Sequence, residues 1–176
     1  MEHNIDSSGI PLREYVMQIR PASSNDSDSI WAILEPVIRA GETYTLPTDM
    51  SRDDALAFWT SPQHEVFVAV EGSDTLGTYF LRVNQLGGGS HVANCGYITA
   101  SWAQGRGVAR TMCAHSLERA RARGFRAMQF NFVISSNQRA VRLWQSFGFE
   151  VVGRLPGAFQ HPSLGFVDAF VMYRSL

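Results

Sequence analysis

Gln104, Gly105, Arg106, Gly107, Val108 and Ala109 carry the densest chemical signal in this chain. They follow an apolar run ending in Tyr97-Ile98-Thr99-Ala100 and open a segment of helical periodicity. The first N–H groups of a helix lack an intrahelical partner, and together with the helix dipole they make a seat for a phosphate. Glycine at 105 and 107 removes the side chains that would hold a pyrophosphate away. Two other phosphate motifs fail here. A Walker loop needs Gly-Lys-Ser/Thr, and the chain has no lysine. A dinucleotide fingerprint needs a small residue where Arg110 stands and an acid about 20 residues further on, where the chain has Gly124-Phe125-Arg126.

A second segment raises the specificity. Gln104-x-x-Gly107-x-Ala109, followed one helix and one strand later by Asn137-x-x-Ala140-x-x-Leu143-Trp144-x-x-Phe147-Gly148-Phe149, resembles the GCN5-related N-acetyltransferases, the GNAT superfamily. The resemblance covers Met17 to Leu176 and is most specific from Asn94 to Phe149. It implies an α/β fold: a mixed, mostly antiparallel sheet with splayed parallel central strands and helices on both faces. It implies acetyl-CoA as co-substrate and no metal. The cofactor contacts it implies are Ile98, Thr99, Gln104, Gly105, Arg106, Gly107, Val108, Ala109, Arg110, Asn137 and Trp144. Backbone groups near Ile98 to Ala100 would pair with the pantetheine between the strands ending at Thr99 and Val133. Gln104 stands where arginine is more usual, and Arg106 and Arg110 can supply the charge. Read alone, Asn137 is also a helix N-cap. Trp144 replaces a tyrosine that, in many relatives, protonates the leaving thiolate. An indole cannot do this, although a thiol of pKa ~8.5 leaves readily as thiolate.

Amides on the central strands are the next feature. Alternation puts Asn94, Gly96 and Ile98 on one face of their strand, and Gln129, Asn131 and Val133 on one face of the next. A buried amide left unpaired costs roughly 1–3 kcal/mol, so these residues should hold a ligand, each other, or water. His91-Val92-Ala93-Asn94-Cys95-Gly96-Tyr97 and Phe130-Asn131-Phe132-Val133-Ile134-Ser135-Ser136-Asn137 resemble the yeast acetyltransferases that modify proline analogues. These also carry the tryptophan. That resemblance implies that Asn94 and Asn131 touch the acceptor or the reacting carbonyl as the catalytic pair. Asparagine is no base, but it can fix an amine or steady an oxyanion. Candidates for the base are Glu42, His91, Asp168 or held water. Glu42 and Tyr44 lie on the segment that lines the acceptor pocket in this fold, though a solvated loop is the plainer reading. His115 reads as a surface residue. His64 and His161 offer no metal spacing. Cys95 faces away from Asn94 and should pack in the core, so direct transfer is expected rather than an acyl-enzyme.

The elements that must position these residues follow from periodicity and punctuation. A strand is expected at Met17–Arg20. A helix capped by Asn25 or Asp26 carries the stripe Ile30, Ile33, Leu34, Val37 and Ile38, kinked or divided at Pro36 and ended by Gly41. Ser51 caps a second helix. Strands are expected at Glu65–Val70, Leu76–Val83, His91–Thr99, Ala127–Val133, Glu150–Leu155 and Val167–Tyr173, with helices at Gly107–Arg123 and Asn137–Phe147. The triplet Gly87-Gly88-Gly89 reads as a flexible connection, and Glu42–Asp49 and Phe159–Leu164 as loops that narrow a pocket. The order is β-α-α-β-β-β-α-β-α-β-β, a single N-acetyltransferase domain over 17–176. Residues 1–16 read as a disordered tail, with Met17 as an alternative start.

Composition narrows the function. The 176 residues can bury a sizeable core. No apolar run approaches the ~20 residues of a membrane span, and no secretory segment opens the chain. Two cysteines imply no disulfide framework, and a cytoplasmic location is the default. The net charge of −1 argues against nucleic acid. All fifteen basic residues are arginines, and six of them fall between Gln104 and Arg126 against one acid, Glu118. That patch suits a small polyanion, while Arg119, Arg121 and Arg123 also fit a solvated helix face. The expected partner is a small-molecule amine, such as an amino acid or its analogue, with a homodimer possible. The rival readings are a non-catalytic acyl-CoA sensor and a protein or peptide N-acetyltransferase.

Overall fold

The computed structural model describes residues 16–176, so the expected tail lies outside the described residues except for exposed Val16. The elements are β1 (Gln18–Pro21), α1 (Ser27–Ala40), α2 (Arg52–Trp59), β2 (Glu65–Glu71), β3 (Asp74–Val83), β4 (Val92–Thr99), α3 (Val108–Ala122), β5 (Ala127–Ile134), α4 (Gln138–Ser146), β6 (Glu150–His161) and β7 (Gly165–Ser175). They occur in the expected order. One seven-stranded sheet runs β1-β2-β3-β4-β5-β7-β6. Every neighbouring pair is antiparallel except β4 with β5.

The helices follow from their stripes. In α1, Ile30, Ile33, Leu34 and Ile38 are buried, and Gly41 ends the helix at φ +62°. Ser51 caps α2 by accepting from the Asp54 N–H at 3.1 Å. Along α3, Val108, Met112, Ser116 and Ala120 share the buried face at four-residue spacing. The two sides of the sheet are distinguished by what β3 touches. Tyr79 pairs with His115 of α3, whereas Thr78 and Phe80 meet Trp59 of α2. α3 therefore covers one face and α2 the other. α1 packs with α2, and the Trp144 ring of α4 packs on Tyr97, whose hydroxyl meets Ser116 of α3.

Three expectations are corrected. Pro36 does not divide the first helix, which runs unbroken through it. Buried side chains on both sides of the proline hold both halves to the sheet, outweighing one lost backbone bond. β6 does not stop at Leu155 but continues to His161, and β7 starts at Gly165, so Phe159–His161 is strand rather than pocket-narrowing loop. Pro156 and Gly157 sit in a bulge: the register with β7 shifts between Leu155 and Phe159. Asp168 accepts from the Gly157 N–H at 2.8 Å inside it. The glycine triplet forms a short 3-10 turn.

Candidate functional site

β4 and β5 pair at only two positions, Val92 with Ala127 and Ala93 with Met128. Past them the strands part, and the gap opens into a cavity of about 910 Å³. Asn94 sits where the ladder stops. Its Nδ2 donates to the Gln129 carbonyl at 2.9 Å, and its Oδ1 accepts from Arg82 Nε at 3.1 Å. This buried amide stands in for the next rung of the ladder. Asn131, half-buried, is also paired: Oδ1 accepts from Gln129 Nε2 at 2.8 Å, and Nδ2 donates to Asn84 Oδ1 at 2.7 Å. Both amides line the cavity, and the Gln129–Asn131 bond keeps those two side chains on one face of β5, as alternation predicted. Asn94 and Asn131 hold neighbours rather than each other.

Below the gap the chain turns into α3. Gly105 and Gly107 take φ of +81° and +80°, a region costly for residues with a Cβ. A Cβ at either position would meet nothing within 4 Å, so the open face beside them is unfilled by the protein. The Thr111 N–H makes the first helical bond, to Gly107 O at 3.0 Å. The N–H groups before it have no intrahelical acceptor. Ile98, Thr99, Gln104, Gly105, Gly107, Val108, Ala109, Arg110, Asn137 and Trp144 all line the cavity. Arg110 also donates to Ser146 Oγ at 3.1 Å and lies over the Phe147 ring. Asn137 caps α4 by accepting from the Ala140 N–H at 3.2 Å, the alternative its position allowed. Trp144 is buried against Tyr97 and Phe130.

Arg106 departs from expectation. It forms an ion pair with Glu71 and does not line the cavity. The acid lies 35 positions away in sequence, a pairing that spacing cannot reveal. Arg119 and Arg123 likewise flank Glu65, as a solvated face would.

Tyr44 reaches the site and Glu42 does not. The Tyr44 hydroxyl donates to the Tyr97 carbonyl at 3.1 Å, over the cavity. Burial pushes its pKa further up, so it stays a neutral donor. Glu42 is exposed and outside the lining. His91 is exposed at the entry to β4. Asp168 pairs with Arg154; the Gly157 N–H and that guanidinium hold its carboxyl below the usual range. Among the described residues, no Asp, Glu or His lines the cavity. His115, read as a surface residue, is instead in contact with the Tyr79 hydroxyl at 2.6 Å.

Cys95 faces Tyr97 and Ser116 on the α3 side, opposite Asn94. Both nevertheless contribute to the wall, because the cavity passes through the gap and touches both faces. Burial pushes the Cys95 thiol up to about 12, so it is protonated and a poor nucleophile near neutrality. Sequence reasoning missed Phe58, Phe80 and Arg82. Alternation along β3 places Arg82 on the face of Thr78 and Phe80; a charged residue in that apolar run was the available signal.

A lone parallel pair that parts after two rungs, beside a helix opened by glycines, matches the acyltransferase fold with splayed central strands that the sequence resemblance implies. Comparison with known proteins names the family. Residues 31–149 match the acetyltransferase (GNAT) family, and the chain belongs to it. The structure of a GCN5-related N-acetyltransferase from Kribbella flavida is 39% identical, with a TM-score of 0.87, covering 91% of this chain and 98% of that one. The N-acetyltransferase aca1 of Schizosaccharomyces pombe is 27% identical over 151 residues, 76% of this chain and 72% of that protein. The structure of yncA from Salmonella typhimurium, solved with its cofactor acetyl-CoA, shares the fold: 22% identity, a TM-score of 0.80, and 92% and 94% coverage.

Proposed function

We propose that this protein transfers acetyl from acetyl-CoA directly to the amine of a small molecule, an amino acid, an amino-acid analogue or a related amine. One observation carries the reading. The gap between β4 and β5 joins the glycine-opened start of α3 to a second, partly aromatic chamber in a single cavity. The residues present fit acetyl-CoA: free strand edges past Ala93 and Met128, an unfilled face at Gly105 and Gly107, and Arg110 beside them. Bound there, it supplies an activated acetyl thioester. The backbone of Ile98 and Thr99 would hold the extended arm, and the first N–H groups of α3 the pyrophosphate. Tyr44, Phe58 and Phe80 also line the cavity and would give the acceptor a partly aromatic wall. Asn94 and Asn131 border the gap, and Asn131 has a second Nδ2 hydrogen to offer an acceptor or a developing oxyanion.

No protein base lines the chamber among the described residues, so the acceptor's proton leaves to water in this reading. The protonated Cys95 thiol favours direct attack over an acyl-enzyme. A cytoplasmic location and a homodimer belong to the same reading, and sedimentation checks the second. No helix of the described residues is long and apolar enough to cross a membrane. The test is thiol release from acetyl-CoA with a panel of small amines. Turnover with one or more of them is expected. Tight acetyl-CoA binding with no turnover on any amine would favour a sensor, and turnover only on peptides a protein acetyltransferase.

A further inference from the structure

Among the described residues, Arg82 is a half-buried cation with no anion beside it. It lies on β3 and lines the cavity on the α2 face, and among the described residues its side chain makes one hydrogen bond, from Nε to Asn94 Oδ1 at 3.1 Å. Seven other arginines are ion-paired, while no carboxylate comes within 4.0 Å of Arg82 among the described residues. Among the described residues, the wall carries four arginines and no acid. Three of them, Arg110, Arg139 and Arg142, belong to α3 and α4, the side of the phosphate seat. Arg82 alone faces the other chamber, near Phe80 and Asn94. His64 stacks on Phe80 at 4.1 Å. Burial, and less strongly the nearby Arg82 charge, lower its pKa, so it adds no charge.

A half-buried guanidinium lacking a counter-charge is costly unless something supplies one. Asn94 holds Nε, which orients the planar fork and leaves both terminal nitrogens for a bidentate partner. Resting on the function proposed above, we infer that Arg82 is the seat for a carboxylate on the acceptor, so that the acceptors are amino-acid-like anions rather than simple amines or polyamines. Asn94 then has two roles: it closes the strand ladder and aims the arginine.

The test compares amino acids with their own carboxamides and decarboxylated amines, following thiol release from acetyl-CoA. The wild-type protein should favour the acids over both counterparts by on the order of 10- to 100-fold in kcat/KM, the range for a charge-assisted pair. The carboxamides have the less basic amine, so chemistry alone would favour them. Arg82→Gln should bring the acid and amide rates together, acting mainly through KM for the acid, with acetyl-CoA affinity unchanged by calorimetry. Arg82→Lys, which keeps the charge but loses the fork, should retain part of the preference. If the glutamine variant does not fold, the wild-type ratio and the lysine variant decide. Equal wild-type use of acids and amides, or an Arg82→Gln loss equal for both, would overturn the Arg82 assignment while leaving small-molecule transfer standing. Turnover with no small amine would overturn both.

Discussion

Asn131 is where a structural and a catalytic reading meet in one side chain. Its carbonyl is taken by Gln129 and one amide hydrogen by Asn84, leaving one hydrogen at the cavity wall. If that hydrogen steadies charge in the transition state, Asn131→Ala should lower kcat/KM by roughly 100- to 1,000-fold, the value of a preorganised donor. Acetyl-CoA affinity and the thermal midpoint should then barely move. Steady-state rates and Tm measured on one preparation separate this from a scaffold role, in which stability falls and activity per folded molecule stays normal. Asn94 is engaged in the same way, its Oδ1 accepting from Arg82 and its Nδ2 donating to the Gln129 carbonyl, and it differs in being the more buried of the two.

At the scale of elements, the entry to α3 and the entry to α1 each make a prediction. Gly107→Glu places a carboxylate where the pyrophosphate is proposed to sit. Calorimetry should show acetyl-CoA affinity falling at least about 10-fold, since each buried like-charge contact costs a kcal/mol or more. Gly107→Ala bears the same strain at φ +80°, roughly 1 kcal/mol, without the charge, and should bind nearly as well as wild type. At α1, Asp26 is almost fully buried. It accepts from Arg20 at 2.7 and 2.9 Å and from the Ser23 N–H at 2.7 Å. The Arg20 hydrogen bonds hold its pKa far below the ordinary 3.8. A depressed carboxylate stabilises the fold at pH values above the unfolded pKa, and that stability fades as pH falls below it. Asp26→Asn should therefore cost about 1–3 kcal/mol at neutral pH. Thermal melts from pH 7 to about pH 3 should show the gap from wild type narrowing only below about pH 4.

Across the whole molecule, charge is segregated. The chain is close to neutral at −1, yet its cavity wall carries four arginines and no acid among the described residues. A small polyanion approaching it is attracted locally, and salt screens the attraction. KM for acetyl-CoA should rise several-fold between about 0.05 and 0.5 M NaCl, while kcat changes little. A KM independent of salt would place the nucleotide away from Arg110, Arg139 and Arg142.

Local sequence determined the order of elements, because hydrophobic period, caps and glycine stops are properties of neighbouring residues: the stripe Val108, Met112, Ser116, Ala120, the Ser51 cap and the Gly41 stop are each formed as read. It also determined the glycine-opened start of α3, since two positive-φ positions before a helix need no distant partner. What only the tertiary structure decided are encounters between residues far apart in the chain. Arg106 turns to Glu71, Glu42 is left in solvent while Tyr44 two positions on reaches Tyr97, and Asn94 is engaged by Arg82 and Gln129. β6 runs through a proline and a glycine because β7 lies beside it to carry the register across the bulge. Ion pairs and sheet registers depend on which strands become neighbours, and that is settled by burying one shared core rather than by any local pattern.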